Sequence, residues 1–320
     1  MPLAAQPLAI PGPLDPILLG GSINLLAGSS GAGKTAFLAH LARHLQQQQP
    51  IFGVRPSHPG YVAYVGVDKS WARSSSKWFQ LEGVQLPHYA MNDDRSFRKS
   101  RLRSKQDRVV IFREFLCKVA PDGKTFPAGA CVFFDPIALF LGGNLLDYDA
   151  SAVACLELRE VCQELGQVCV VGTVHGGKMK ADKKQGYARL QDHILGSAAL
   201  YGYTDTQLYL AAPEELRTKH ALLHVGPHHG PPLQLKFRRG ADGRFLSEDE
   251  AEAAGVTGPS WVVEALEAAP QRTMTLAELL RVAIDREVSR KTLQRLLDEA
   301  IRAGRARRIA HGKYQAAAIS

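Results

Sequence analysis

From Ile23 to Phe245 the chain alternates short, almost uninterrupted apolar runs with stretches whose apolar residues recur at helical spacing. The runs Ile23–Ala27, Tyr61–Val67, Ala130–Phe134, Val168–Thr173, Thr206–Ala211 and Leu233–Phe237 predict strands with short helices between them. The first of these helices is legible in Ala36-Phe37-Leu38-Ala39-His40-Leu41-Ala42. It ends at Gln46-Gln47-Gln48-Gln49-Pro50, because proline cannot continue a helix. Strands that alternate with helices argue for an α/β domain on a mostly parallel twisted sheet flanked by helices.

The pattern changes after Phe245. Ser247-Glu248-Asp249-Glu250-Ala251-Glu252, followed by Gly255 and Gly258-Pro259, is acidic and then turn-forming, which predicts a linker over 248–259. Trp261–Ala268, Leu276–Ile284 and Ser289–Ala303 predict three helices, with Thr275 and Ser289 as caps and Gly304 as a stop. Arg305–Ala310 and Lys313–Ala316 flank His311-Gly312 as a glycine-turn hairpin. The chain is therefore expected to divide into an N-terminal arm (1–20), a large α/β domain (21–247), the linker, and a small domain (260–320). Three helices and a basic hairpin resemble a winged helix. Its third helix would carry Arg290, Lys291 and Arg295 to a DNA groove, with Arg307 and Arg308 of the wing near phosphates. Subunit contacts are the alternative use of such a fold.

Composition narrows the class. A chain of 320 residues, 45% hydrophobic, can bury a large core. No apolar stretch approaches the roughly 20 residues of a membrane span, and the proline-rich start lacks a basic signal region, so a cytoplasmic location is expected. Five cysteines without C-x-x-C spacing read as free thiols, with no structural metal. His220, His224, His228 and His229 lie on a strand-like segment broken by glycine and proline, with no cysteine or carboxylate to complete a metal set. The net charge of +8 favours a polyanionic partner. It is concentrated: seven basic residues against one acid between Arg95 and Arg108, and nine against three between Arg286 and Lys313.

The chemistry centres on Gly28-Ser29-Ser30-Gly31-Ala32-Gly33-Lys34-Thr35, the pattern G-x-x-x-x-G-K-[ST] set between a predicted strand and a predicted helix. Its glycines let backbone N–H groups surround an anion, and the helix that follows adds the positive end of its dipole. Lys34 can reach the β- and γ-phosphates of ATP, and the Thr35 hydroxyl can coordinate Mg²⁺. Asp135 ends the apolar run Ala130-Cys131-Val132-Phe133-Phe134, where a charge is costly unless it meets a cation. It is the candidate carboxylate for the metal's water shell. Asp68 follows the second strand, at the edge where open α/β sheets bind ligands, and is the candidate base; a solvated loop acid is the alternative. His175 ends another strand and reads either as a γ-phosphate sensor or as a satisfied loop side chain.

In this order of parts the chain resembles the RecA-like ATPases, and within them the hexameric replicative helicases of the DnaB and RepA kind. The resemblance covers about Gly20 to Phe245. It rests on the phosphate loop, the acid after the second strand, Phe133-Phe134-Asp135-Pro136, His175, and Ile194-Leu195-Gly196-Ser197-Ala198-Ala199-Leu200. Leu235-Lys236-Phe237-Arg238-Arg239-Gly240 is similar to the family's K-x-R-x-G, which implies that Lys236 and Arg238 contact the γ-phosphate of a neighbouring subunit; Arg239 is the alternative register. The resemblance further implies a homo-oligomeric ring, a hexamer, acting on single-stranded DNA, with duplex DNA as the partner that the winged-helix-like domain would take. Lys178, Lys180, Lys183, Lys184 and Arg189 would lie in a loop of the central channel, where Tyr187 would stack on a base. The family has Glu where Asp68 stands, and one methylene less moves the carboxylate by about 1.5 Å. Two functions follow: an ATP-driven helicase or translocase, or a nucleotide-switched regulator or loader with slow hydrolysis. A filament-forming recombinase is weaker, since Met1–Gly20 carries no aromatic anchor.

Overall fold

A computed structural model describes residues 12–56, 60–95, 105–141, 147–176, 198–211, 220–227, 232–240, 242–246, 259–285, 290–302, 306–310 and 312–317. It divides into two compact units, Met1–Phe245 and Leu246–Ser320.

The larger sheet has nine described strands: β1 (Ile23–Gly28), β2 (Val62–Gly66), β3 (His88–Ala90), β4 (Cys131–Asp135), β5 (Cys169–His175), β6 (Thr206–Ala211), β7 (His220–Pro227), β8 (Leu233–Arg239) and β9 (Phe245–Leu246). They lie in the order β3-β2-β4-β5-β1-β6-β7-β8-β9. The pairs from β3 to β6 are parallel, whereas β7 pairs antiparallel with both β6 and β8. This is an α/β architecture on a mostly parallel sheet, in which β5 separates the strand that leads into the phosphate loop from the strand that ends in Asp135. All parallel strands end at one edge, so the loops that follow β1, β2, β4 and β5 converge there.

Both sheet faces are covered, which is why the strand runs are apolar throughout rather than alternating. Ile23, Leu25 and Ala27 of β1 face α3 (Lys105–Val119) and α4 (Tyr148–Glu164), with Phe112, Phe115, Leu158 and Val161 in the same cluster. Leu26 faces the opposite side, where α1 (Lys34–Gln46) and α2 (Ser76–Leu81) contribute Phe37, Leu38, Leu41 and Phe79. A short helix, α5 (Ala198–Tyr203), precedes β6.

The strands appear where the apolar runs lie, and four of the six run one or two residues further toward their carboxyl ends. β3 is three residues long and β9 two, too short for a periodic signal. The arm expected at 1–20 is, over its described part, no separate segment: Leu14, Ile17 and Leu18 are fully or almost fully buried in the α1-side core. The Ile17 carbonyl also accepts a 2.5 Å bond from Thr206 Oγ1. All five cysteines are unpaired, and burial pushes the Cys155 thiol up to about 12. Among the described residues no helix is long and apolar enough to cross a membrane.

The second unit contains α6 (Pro259–Ala268), β10 (Thr273–Thr275), α7 (Leu276–Asp285), α8 (Arg290–Arg302), β11 (Ala306–Ala310) and β12 (Lys313–Ala316). Its sheet has the order β10-β12-β11, and Val262, Leu266, Leu279, Leu293, Leu297 and Tyr314 form its core. The predicted linker runs one residue too far, because Pro259 opens α6, where a missing N–H costs nothing. Thr275 caps α7 reciprocally with Glu278: Thr275 N donates to Glu278 Oε2 at 2.7 Å, and Glu278 N donates to Thr275 Oγ1 at 3.3 Å. The Thr275 N–H and hydroxyl, both donating to Glu278 Oε2, hold that carboxyl below its ordinary value.

Phe37 joins α1 to the sheet through edge-on contacts with Phe237 and Phe245, at 5.6 Å each. Phe37→Ala is expected to lower the unfolding free energy by about 3–5 kcal/mol, read from the shift of the denaturant midpoint at unchanged slope.

Candidate active site

The loop between β1 and α1 follows from its glycines. Gly31 and Gly33 have φ of 81° and 93°, a region that side-chain-bearing residues rarely adopt, and Gly33 immediately precedes α1. Ser30 and Gly31 of the loop are exposed. Lys34 Nζ donates to the carbonyls of Gly28 at 2.8 Å and Ser29 at 3.0 Å, folding its side chain back over the loop.

Asp135 is the centre of the site. It is 1% exposed, and donors reach it from two strands, the segment after β2 and a helix. Thr35 Oγ1 donates to Oδ2 at 2.6 Å and Thr173 Oγ1 to Oδ1 at 2.6 Å. The Tyr64 hydroxyl, itself 2.7 Å from Ser75 Oγ, donates to Oδ2 at 3.3 Å. Lys69 Nζ lies 3.1 and 3.2 Å from the two carboxylate oxygens and donates to Thr35 Oγ1 at 3.1 Å. Burial pushes the Tyr64 phenol well above its ordinary value, and the Asp135 charge adds to the rise, so Tyr64 stays a donor.

A divalent cation fits these residues. The Thr35 hydroxyl and the Asp135 carboxylate converge on one position, and a cation, the Lys69 ammonium, already bridges them there.

His175 sits in register with Gly28, and Gly176 N donates to the Gly28 carbonyl at 3.0 Å, which places His175 beside the loop's first residue. Asp68 is exposed just past β2, whose Gly66 is in register with Asp135. Its carbonyl accepts from Asn92 Nδ2 at 2.6 Å. Phe237 of β8 packs toward α1 in the core, so Lys236 and Arg238 occupy the alternate positions, on the sheet's other face. Arg239 returns to the α1 face: Nη2 donates to the Ala32 carbonyl at 2.7 Å, Nη1 to the Gly243 carbonyl at 3.1 Å, and the guanidinium lies 4.3 Å from the Phe245 ring centroid. Arg239 thus braces the phosphate loop from within the chain.

Lys69, Thr173 and Tyr64 are the site residues the sequence did not reveal. Thr173 had a signal, as the hydroxyl in an otherwise apolar strand; Lys69 had none beyond its place after Asp68. Lys178, Lys180, Lys183, Lys184, Tyr187 and Arg189 lie outside the described residues, as do His228 and His229. Arg290, Lys291 and Arg295 fall on α8, and Arg307 and Arg308 are exposed on β11. Among the described residues no three His, Cys, Asp or Glu side chains gather as metal ligands.

Residues 4–181, which include the phosphate loop, Lys69, Asp135 and Thr173, match a family profile described as an AAA domain. The chain belongs to the AAA domain family. Two solved structures resemble this AAA domain protein in fold. One, an ATPase domain, is 12% identical at a TM-score of 0.46, over 71% of this chain and 84% of that one. The other is a DnaB-like replicative helicase described with its interactions with primase. It is also 12% identical at a TM-score of 0.46, over 71% of this chain and 57% of that one. No curated protein matches the sequence. Family membership and the site geometry agree on a P-loop ATPase.

Gly33 offers a direct check of the loop. A Cβ there would stand 1.7 Å from Arg239 Nη2, at a φ of 93°. Gly33→Ala is expected to weaken binding of a fluorescent ATP analogue by about tenfold or more, from backbone strain of order 1–3 kcal/mol. Adding Arg239→Ala should relieve the clash but not the strain, and should restore only part of the loss.

Proposed function

We propose that this protein is an Mg²⁺-dependent ATPase of the ring-forming helicase type, which couples ATP hydrolysis to movement on single-stranded DNA in replication. The observation that carries the reading is the convergence of Thr35 and Asp135 at the mouth of the Gly28–Thr35 loop, with Lys34 beside them.

In this reading the loop amides and the α1 N-terminus hold the phosphates. Lys34 leaves the Gly28 and Ser29 carbonyls for the β- and γ-phosphate oxygens. Thr35 and Asp135 would hold Mg²⁺, which when bound would offset the charge that develops on the transferred phosphoryl group. Thr173 and Tyr64 hold the Asp135 carboxylate in its orientation through their hydroxyl hydrogen bonds. Asp68, exposed at the same edge, orients and deprotonates the attacking water, and His175 reports on the γ-phosphate from its place beside Gly28. Lys236 and Arg238 face away from the chain's own loop, a placement that suits a role in a neighbouring subunit's site.

The basic loop at Lys178, Lys180, Lys183, Lys184 and Arg189 would face DNA in the ring's channel. In the second unit, the succession of helix, strand, two helices and a hairpin supports a winged-helix reading, with Arg290, Lys291, Arg295, Arg307 and Arg308 toward nucleic acid, duplex DNA included. We place the protein in the cytoplasm. A second reading, a nucleotide-switched regulator or loader with slow turnover, is favoured by Asp68, whose carboxylate is one methylene shorter than the glutamate that the helicase resemblance puts there.

Electron microscopy with a non-hydrolysable ATP analogue and single-stranded DNA is expected to show closed rings, and single-stranded DNA is expected to raise ATP turnover. Monomers with turnover indifferent to DNA would contradict the motor. Turnover no faster than in Lys34→Ala would favour the switch. If Arg238 acts across subunits, Arg238→Ala loses about a thousandfold in turnover, and mixing it with Lys34→Ala restores part of the activity that neither has alone.

A further inference from the structure

We propose that Lys69 is a resident cation of the metal position: its ammonium holds Thr35 and Asp135 together until a divalent ion arrives, and that ion must displace it to bind. The inference rests on the nucleotide-site reading above and concerns how that site is kept between turnovers.

The geometry is that of a substitute ion. The ammonium contacts both carboxylate oxygens and the Thr35 hydroxyl within 3.1–3.2 Å, the same atoms a divalent ion would engage. A second cation cannot share that position, because two like charges about 3 Å apart repel strongly in a partly dehydrated site.

The two partners differ in what they can do next. The Asp135 side chain is 2% exposed and fixed by Thr35, Thr173 and Tyr64, whereas the Lys69 side chain is 38% exposed and can swing into water. The backbone on either side of Lys69 is pinned. Asn92 binds the Asp68 carbonyl, Ser70 Oγ donates to Asp93 Oδ1 at 2.7 Å, and Trp71 N donates to Asp93 Oδ2 at 3.0 Å. The Trp71 ring stacks on His88 at 4.1 Å and 12°. The next residues form a π-helical turn, Trp71–Ser75, a feature frequent at functional sites. The moving part is thus the Lys69 side chain on a fixed base, and once displaced it stays tethered beside Asp68.

Two consequences follow. Without metal, the buried carboxylate keeps a counter-ion and the empty site remains ordered. With metal, part of the binding free energy goes into displacing the ammonium, so half-saturation requires more metal than the ligands alone would.

The test uses the full chain and Mn²⁺ alone as probe, with free Mn²⁺ followed by electron paramagnetic resonance and melting temperature measured in parallel. Lys69→Met is expected to lower the half-saturating Mn²⁺ concentration by about tenfold or more, the order set by removing a like charge at contact distance. The same variant should melt below wild type without metal and recover with Mn²⁺. Lys69→Arg, which keeps the charge, should bind Mn²⁺ as weakly as wild type, and Asp135→Asn added to Lys69→Met should abolish the gain. Unchanged or weaker Mn²⁺ binding by Lys69→Met overturns the proposal, as does a Lys69→Met protein that stays unfolded at every Mn²⁺ concentration. If both proteins still bind an ATP analogue, only the Lys69 inference falls. If neither binds it, the nucleotide-site reading falls as well.

Discussion

A carboxylate buried to 1% exposure at the end of a strand is the constraint around which this protein is arranged. An isolated charge at such a depth is prohibitively costly, so Asp135 must be met by donors from several of the elements that reach the edge. Thr173 comes from β5, Tyr64 from β2, Thr35 from the first turn of α1, and Lys69 from the segment after β2. Strand order makes this possible. With β4 between β2 and β5, and β5 next to β1, the four elements end side by side. A shift of any strand by one residue would turn its donor to the other face of the sheet.

The same arrangement separates what the chain supplies to its own site from what it presents outward. Along β8 the period of two puts Phe237 and Arg239 on the α1 face, where Arg239 braces Ala32 and Gly243. Lys236 and Arg238 fall on the opposite face. A single strand thus braces the phosphate loop with Arg239 and carries Lys236 and Arg238 on its opposite face.

Much of this was legible in the sequence. Apolar runs reveal the central strands because burial on both faces removes polar positions, and the phosphate loop is a local motif whose φ values only glycine adopts easily. Asp135 was legible because a charge at the end of five apolar residues needs a reason. Lys69 was not, because its role comes from β2 lying beside β4, a long-range pairing that no window contains. Leu14, Ile17 and Leu18 likewise read as a proline-rich arm, and they join the core where Gly21 N donates to the distant Gln167 carbonyl and Thr206 Oγ1 to the Ile17 carbonyl. Short strands such as β3 carry too few residues for a period to show.

The central claim is that Asp135 organises a metal–nucleotide site, and calorimetric titration of a non-hydrolysable ATP analogue, with and without Mg²⁺, into wild type and Asp135→Asn tests it most directly. The account predicts one analogue per chain in wild type, bound more tightly with Mg²⁺, and loss of that Mg²⁺ dependence in a folded Asp135→Asn protein. Equal affinity and equal Mg²⁺ dependence in the two proteins would contradict it.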